Sequence, residues 1–248
     1  MLPNRLIPSL LFFTAVICGC AQPLHIQSTS HKQYYVKDTT PVDSSLVDML
    51  KPYKAGVDTQ MKVVIGATDV PLSKAQPESL LGNLVADAQL LAAKQFDHKV
   101  VASIANYGGM RLSYLPPGPI TRGDMFQLMP FDNKIVIVEV PGETLKVLCN
   151  HMAKAKGWPI SGITYTINGN EAAEIMVNNH PVNEHIIYKL ALSDYIATGG
   201  DRCDFLTDLP RKYTKVLVRD ALIDYVIAAT KSGNLIHPLL ESRVKYAE

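Results

Sequence analysis

Apolar and polar positions alternate along residues 42–248 with two different periods. Apolar residues at helical spacing predict helices over 44–61, 78–96, 144–156 and 216–231. Short apolar or β-branched runs predict strands over 62–67, 99–105, 134–140 and 186–192, with a hairpin of 163–167 and 174–177 around Asn168-Gly169. Because helices and strands interleave while several strands follow one another directly, the pattern favours a single α+β domain with mixed sheets over a doubly wound parallel sheet.

The first predicted helix, over 44–61, combines a clear start with an interrupted middle. Asp43 or Ser44 can cap its first turn, and Pro52 inside it predicts a kink or a break. Its apolar positions fall near a spacing of 3.6 residues and are Leu46, Leu50, Tyr53, Val57 and Met61.

The other helices also carry local signals. Thr121 followed by Asp124 is a variant of the capping box and predicts a short helix that runs toward Met129. The inward side of the helix over 144–156 is expected to consist of Leu145, Leu148, Cys149 and Met152. The apolar side of the helix over 78–96 consists of Leu81, Leu84, Val85, Ala88, Leu91 and Ala92.

The N-terminal segment is typical of a secretory signal and is not expected to be part of the fold. Its apolar run, Leu6–Cys18, is shorter than the roughly 20 residues that a membrane-spanning helix needs. The run ends in Ile17-Cys18-Gly19-Cys20, which resembles a bacterial lipobox. Residues 1–19 are therefore expected to be a lipoprotein signal peptide whose removal leaves Cys20 lipidated. The alternative is a plain secretory signal with an incidental cysteine.

The segment after Cys20 completes this picture. Residues 20–41 are polar and irregular, so we expect a flexible tether that lifts a domain clear of a membrane surface. The expected location is the bacterial cell envelope, lipid-anchored on the periplasmic or surface side.

Composition places the chain among ordinary globular proteins. Its 248 residues carry 24 Lys+Arg and 23 Asp+Glu, a formal net charge of +1, with 47% hydrophobic and 19% charged residues. This apolar content disfavours disorder, and the balanced charge disfavours a partner that is a nucleic-acid polymer. Four cysteines are too few for a disulfide scaffold. Cys149 and Cys203 can pair in an oxidising compartment, although two buried free thiols fit equally well.

Sequence signatures of common catalytic sites are missing. None of the seven histidines lies in an H-x-H, H-E-x-x-H or Cys/His zinc spacing, and His151 is expected to be solvated or hydrogen-bonded. No G-x-S-x-G or Walker-type phosphate loop is found. We therefore expect no metal, no cofactor and no catalytic residue of this chain's own.

Three loops carry side chains suited to a small polar ligand. Arg111 follows two glycines and Asn106, and its charged fork suits a phosphate or carboxylate. Phe131 lies in a turn, where a large aromatic is poorly placed for a core and well placed for stacking. Asp201 follows Tyr195 and a double glycine, and it can accept two hydrogen bonds from a cis-diol such as a ribose. Each loop alone is typical of an ordinary turn, whereas together they resemble a nucleotide clamp.

Six segments, in order and spacing, resemble the C-terminal domain of the 5′-nucleotidase family, which includes UDP-sugar hydrolases and cyclic-nucleotide phosphodiesterases. They are Glu78-x-x-Leu81-Gly82-Asn83-Leu84-Val85-Ala86-Asp87-Ala88, Asn106-x-Gly108-Gly109-Met110-Arg111, Ile120-Thr121-x-Gly123-Asp124, Pro130-Phe131-x-Asn133, Ser161-Gly162 and Tyr195-x-x-x-Gly199-Gly200-Asp201. The resemblance implies one domain over 42–248, with mixed sheets flanked by helices in an α/β/β/α arrangement.

In that family this domain recognises the substrate, and the resemblance implies five binding residues here. Phe131 and Tyr195 would sandwich the base, and Asn106 would contact it. Arg111 would contact the phosphate, and Asp201 would hold the ribose hydroxyls.

Two positions depart from the family pattern. Ala75, with Lys74 beside it, stands where members usually carry an arginine, and Arg202 stands where they usually carry a glycine after G-G-D. Phosphate binding is therefore expected to be weaker or rearranged, with Lys74 or Arg202 as candidate contributors. The D-x-H and G-N-H-[DE] segments of the family's two-metal phosphatase domain are not found in this sequence.

Two functions follow from these expectations. The first is the nucleotide-recognition component of a 5′-nucleotidase-type hydrolase, completed by a separately encoded metallophosphatase that holds the divalent metal ions. The second is a lipid-anchored periplasmic protein that binds nucleosides or nucleotides without catalysis. A structural protein that has lost its ligand is disfavoured, because the predicted binding side chains are all present.

Overall fold

The structure is a computed structural model that describes residues 28–35 and 41–247. The predicted signal peptide, the predicted lipidation site at Cys20 and most of the predicted tether lie outside these residues. The chain divides into two units, 1–47 and 48–248. In the first unit, residues 28–35 form no helix or strand.

The carboxylate of Asp43 accepts hydrogen bonds from the backbone N–H groups of Ser45 and Leu46, so Asp43 caps the first helix.

Five of the six α-helices in the described residues agree closely with predicted segments, whereas the short helix Asp194–Ala197 was not predicted. The six are α1 (Ser44–Met61), α2 (Leu80–Phe96), α3 (Arg122–Leu128), α4 (Gly142–Lys154), α5 (Asp194–Ala197) and α6 (Val218–Lys231). The strands are β1 (Val64–Thr68), β2 (Leu72–Ser73), β3 (Val100–Ile104), β4 (Tyr114–Leu115), β5 (Gly118–Thr121), β6 (Lys134–Pro141), β7 (Ile160–Ser161), β8 (Ile163–Asn168), β9 (Glu171–Val177), β10 (His180–Pro181), β11 (Ile187–Ser193), β12 (Arg211–Leu217) and β13 (Val244–Tyr246).

The strands form two main sheets and two short ribbons. The larger sheet has the order β12-β6-β11-β3-β7, and β11 is parallel to β3 but antiparallel to β6. The smaller sheet has the order β10-β9-β8-β13 and contains the predicted hairpin as β8 and β9. Strands β1 and β5 pair in one ribbon, and β2 and β4 pair in the other. The predicted class, α+β with mixed sheets flanked by helices, is confirmed.

Strand β6 shows how the core is arranged. Ile135 and Ile137 pack with residues of α2 and α6, whereas Val136, Val138 and Val140 pack with residues of α4 and the smaller sheet. The larger sheet is therefore buried on both faces. This explains why β6 is almost continuously apolar, as a strand covered on both sides must be.

The faces of α2 and α4 match the predictions except at Leu91. The four residues expected to face inward from α4 are all fully buried, and Thr121 and Asp124 form a complete capping box at α3. Leu91 of α2, however, is 48% exposed. The buried arc of α2 is broader than its apolar residues indicate, because it includes the polar Asn83 and Gln89, and Leu91 lies outside it.

Helix α1 is present over the predicted residues, but none of them is buried. It continues through Pro52 as one element, so the expected break does not occur. Among the helices of residues 41–247, none is both long and apolar enough to cross a membrane.

The polar residues of the Glu78–Ala88 motif have a structural role. Asn83 donates through Nδ2 to the carboxylate of Glu78 at 2.7 Å and to the carbonyl of Leu239 at 2.8 Å. Asp87 accepts two hydrogen bonds from the guanidinium of Arg243, at 2.7 and 2.9 Å. The motif therefore anchors the C-terminal segment that leads into β13.

Candidate ligand-binding site

All five predicted binding residues line one pocket of about 390 Å³. Its lining residues are Asn106, Gly108, Gly109, Arg111, Phe131, Asn133, Tyr195 and Asp201. A larger open groove of about 880 Å³ along the smaller sheet and α4 contains none of the five. The smaller pocket is the candidate site, because an arginine, two aromatics and a carboxylate converge there.

Sheet topology brings the three loops together. Strands β3 and β11 are parallel neighbours, so the loops that follow them, with Asn106 and Tyr195, leave the same edge of the larger sheet. Strand β6 is antiparallel to β11, with Ile135 opposite Ser193, so the loop before β6 lies at that edge too. Asp194 ties two of the loops by accepting a hydrogen bond from the N–H of Lys134 at 3.1 Å.

Asp201 is the centre of a hydrogen-bonded cluster. Its Oδ2 accepts from Nδ2 of Asn106 at 2.7 Å, and its Oδ1 accepts from the hydroxyl of Tyr195 at 2.8 Å. The Tyr195 hydroxyl in turn accepts from the backbone N–H of Asp201 at 3.2 Å. The bond to the Asp201 carboxylate raises the pKa of Tyr195. Each carboxylate oxygen keeps a second lone pair, so Asp201 is held in place and can still accept from a ligand.

Glycine allows an unusually close backbone approach at two positions in these loops. A Cβ on Gly200 would lie 2.5 Å from the carbonyl oxygen of Tyr195 and 2.6 Å from its ring. A Cβ on Gly109 would lie 2.7 Å from Oδ1 of Asn106. Each glycine therefore allows the backbone to approach a binding side chain closely.

Arg111 and Phe131 both line the pocket and contact each other there. The guanidinium carbon of Arg111 is 5.1 Å from the centroid of the Phe131 ring, within the range of a cation–π contact. Phe131 and Tyr195 are each 43% exposed, so both rings offer surface to a ligand. The prediction that Phe131 lies outside the core is confirmed.

Lys74 and Arg202, the two candidate contributors to phosphate binding, both lie outside the pocket lining. Lys74 donates through Nζ to the carbonyl of Met110 at 2.8 Å and lies 4.0 Å from the centroid of the Tyr107 ring. Burial and the nearby charge of Arg111 lower the pKa of Lys74. Lys74 thus contacts the residue next to Arg111 but does not line the pocket, and the exposed Arg202 does not line it either.

Arg219, in the first turn of α6, contacts the site and was missed by the sequence reasoning. It is 6% exposed, and its guanidinium reaches the loop that carries Phe131. The available signal was an arginine within an otherwise apolar helix start, Val216-Leu217-Val218-Arg219. The pattern does not show which loop such a side chain meets.

Cys149, Cys203 and His151 lie outside the pocket lining. Within residues 28–35 and 41–247, no group of three or more His, Cys, Asp or Glu side chains is arranged to hold a metal ion. Cys149 and Cys203 are unpaired and buried, and burial raises the pKa of each thiol to about 12. His151 packs edge-on against Trp158, with ring centroids 5.5 Å apart.

Comparison with known proteins identifies relatives of this fold. A family model described as the C-terminal domain of 5′-nucleotidase matches residues 64–208. A 5′-nucleotidase-related protein from Glossina morsitans morsitans is 27% identical over 85% of this chain and 43% of its own length. A 5′-nucleotidase from Vibrio parahaemolyticus is 22% identical over 78% of this chain and 35% of its own length.

Solved structures agree with this result. The structure of a 5′-nucleotidase precursor from Thermus thermophilus superposes with a TM-score of 0.71 at 25% identity, covering 84% of this chain and 44% of that one. The chain therefore spans less than half the length of the relatives it matches here.

Proposed function

Because this chain belongs to the 5′-nucleotidase C-terminal domain family, we propose that its pocket binds a nucleotide and that the protein is the nucleotide-recognition component of a 5′-nucleotidase-type hydrolase. One observation carries the proposal: Asn106, Arg111, Phe131, Tyr195 and Asp201 line a single pocket. These side chains match the three parts of a nucleotide, namely base, ribose and phosphate.

The proposed roles follow from the side-chain chemistry. The rings of Phe131 and Tyr195 stack on the base, and Asn106 hydrogen-bonds its edge. Asp201 accepts hydrogen bonds from the ribose hydroxyls. Arg111 binds the phosphate through its charged fork, with Lys74 adding positive charge behind it. All of these contacts bind and orient the nucleotide.

Hydrolysis in this proposal is completed by a separately encoded metallophosphatase that supplies the divalent metal ions. Recognition of the base and ribose here would use binding energy from a remote part of the substrate to place its phosphate at the partner's metals. The described residues provide no metal-binding cluster that would hold such ions in this chain.

Calorimetry with AMP and adenosine tests nucleotide binding. The wild-type protein is expected to bind both, and Phe131→Ala should lose roughly 1–3 kcal/mol of binding free energy by removing one stacking ring. Phe96→Ala is the matched control, because Phe96 is 42% exposed at the end of α2 and lies outside the pocket. Equal affinities in wild type and Phe131→Ala would remove base stacking from the proposal.

A reconstitution assay tests the enzymatic part. This protein, a candidate metallophosphatase-domain protein from the same organism and a divalent metal ion are mixed with AMP, and phosphate release is compared with that of the phosphatase alone. Acceleration that is lost in Phe131→Ala supports a recognition component. Nucleotide binding without acceleration supports the second candidate, a lipid-anchored periplasmic protein that captures nucleosides or nucleotides.

We also propose that Cys20 is lipidated and holds the protein at the periplasmic or surface side of a bacterial membrane. The supporting observation is the Ile17-Cys18-Gly19-Cys20 sequence. Metabolic labelling with an alkyne fatty acid is expected to mark the wild-type protein and not Cys20→Ser. Equal labelling of the two proteins would contradict the proposal.

A further inference from the structure

Arg219 joins α6 to the loop that carries Phe131. Its Nη1 lies 3.3 Å from the carbonyl oxygen of Met129 and 3.5 Å from that of Phe131. Its Nη2 donates to Oδ1 of Asp132 at 2.6 Å. A planar guanidinium that binds three groups of one short loop restricts the backbone of that loop more than a single contact does.

The surroundings of Arg219 hold its guanidinium in turn. The side chain is 7% exposed, and the guanidinium carbon lies 4.1 Å from the centroid of the Phe126 ring in α3. The backbone N–H of Val218 donates to the carbonyl of Asn133 at 2.9 Å, so the start of α6 also fixes the end of the loop.

The Phe131 ring is not packed into an apolar core. It is 43% exposed and belongs to neither apolar core of the described residues. Apart from the Arg111 guanidinium, which lies 5.1 Å from the ring centroid, the position of the ring is therefore set mainly by the backbone of residues 129–133.

We propose that Arg219 is a positioning residue for base recognition: it fixes the loop that presents Phe131 to the base without touching the ligand itself. This inference rests on the proposed nucleotide binding. Arg219 lies outside the pocket lining, and it also lies outside the residues 64–208 that match the family model.

The test compares AMP with ribose 5-phosphate, which shares its ribose and phosphate but lacks the base. AMP and ribose 5-phosphate are titrated into the wild-type protein, Arg219→Met and Arg219→Lys. We expect Arg219→Met to weaken AMP binding about tenfold while ribose 5-phosphate binding stays within about twofold, since only the base stacks on Phe131. Arg219→Lys keeps the charge but offers a single donor nitrogen in place of two, so it should restore part of the loss.

A double-mutant cycle separates positioning from a general loss of stability. In a Phe131→Ala background, Arg219→Met should weaken AMP binding no further, because the ring that Arg219 positions is gone. Lys231→Met is the matched control, since Lys231 is exposed at the other end of α6. An additive loss in the double variant would overturn the proposal.

Hydrogen exchange gives a readout that does not depend on a ligand. Arg219→Met is expected to speed amide exchange at residues 131–133 while leaving exchange in β6 unchanged. If the wild-type protein binds neither ligand, the proposed function fails, and unchanged exchange at 131–133 independently overturns the role of Arg219. Should Arg219→Met fail to fold, Arg219→Lys carries the same measurements, with smaller changes of the same sign expected.

Discussion

The guanidinium of Arg111 lies over the ring of Phe131, with 5.1 Å between the guanidinium carbon and the ring centroid. The cation proposed to bind phosphate thus contacts the ring proposed to stack on the base. An exposed cation–π contact contributes about 0.5–1 kcal/mol. A phosphate that draws Arg111 away would free the ring face, so phosphate binding and base binding are expected to favour each other.

We therefore predict that Arg111→Met affects the binding of AMP and of adenosine differently. AMP affinity should fall by about 1.5–3 kcal/mol, because a hydrogen-bonded charge contact to phosphate is lost. Adenosine affinity should stay the same or rise slightly, because the Phe131 ring is no longer covered. Calorimetry measures both, with Arg202→Met as a control outside the pocket. An equal loss of affinity for AMP and adenosine would contradict the proposed contact between Arg111 and the phosphate.

The Tyr195–Asp201 pair leads to a prediction about pH. The bond to Asp201 raises the pKa of Tyr195, so the protonated hydroxyl is favoured in the folded state. Its stabilising contribution is fully present below the ordinary tyrosine pKa of about 10 and is lost as the pH rises through the raised pKa. Ultraviolet difference titration of wild type against Tyr195→Phe isolates this group. In Asp201→Asn its transition should move back toward pH 10, whereas an unchanged midpoint would contradict the assigned cause.

The ion pair between Asp87 and Arg243 predicts a large effect on stability. Arg243 is 11% exposed and binds both oxygens of Asp87, which is 27% exposed. Asp87→Asn should lower the free energy of unfolding by about 2 kcal/mol, measured by urea denaturation. Glu241→Gln is the matched control, because it changes a 54% exposed carboxylate on the same guanidinium and should cost less than about 1 kcal/mol. Equal losses of unfolding free energy in the two variants would show that the greater burial of Asp87 does not make its contact with Arg243 more stabilising.

The buried thiols predict low reactivity and alkaline sensitivity. Burial raises the pKa of Cys149 and Cys203 to about 12, so neither forms a thiolate near neutral pH in the folded protein. Iodoacetamide followed by peptide mass spectrometry should leave both unmodified in native protein and modify both after unfolding. Their contribution to stability is complete below the ordinary thiol pKa of about 8.5 and falls as the pH rises toward 12. Rapid native labelling, or a disulfide between them, would contradict this placement.

Backbone strain at Arg202 predicts a stabilising substitution. Arg202 has φ of 64°, a left-handed conformation that is unfavourable by about 1–2 kcal/mol for a residue with a Cβ. Arg202→Gly removes that strain but adds entropy to the unfolded chain, so a net gain of up to about 1 kcal/mol is expected. Thermal unfolding measures it, with Arg202→Ala as the control that keeps the strain. AMP affinity should not change, because Arg202 does not line the pocket.

Local patterns in the sequence determined most of the secondary structure. Helical spacing identified α1 through residues 44–61, and Thr121 with Asp124 identified the start of α3, because these signals depend on neighbouring residues only. The same patterns determined burial only in part, correctly for the inward face of α4 but not for that of α2. Leu91 is exposed and Gln89 is buried because the packing of α2 against other elements, and not its own periodicity, decides which arc is covered.

For the site, the sequence by itself led to the proposed class of ligand, through the chemical types of five side chains. These are Asn106, Arg111, Phe131, Tyr195 and Asp201, which together suit a base, a ribose and a phosphate. Sheet topology then placed all five around one pocket, because β3 and β11 run parallel and β6 starts at the same edge.

Only the tertiary structure showed how these side chains are supported. Arg219 meets the Phe131 loop from 88 residues away in sequence, and Arg243 reaches Asp87 from 156 residues away. Such contacts depend on where distant elements pack. A single sequence records the residue types that make them, while the fold decides which of those residues meet.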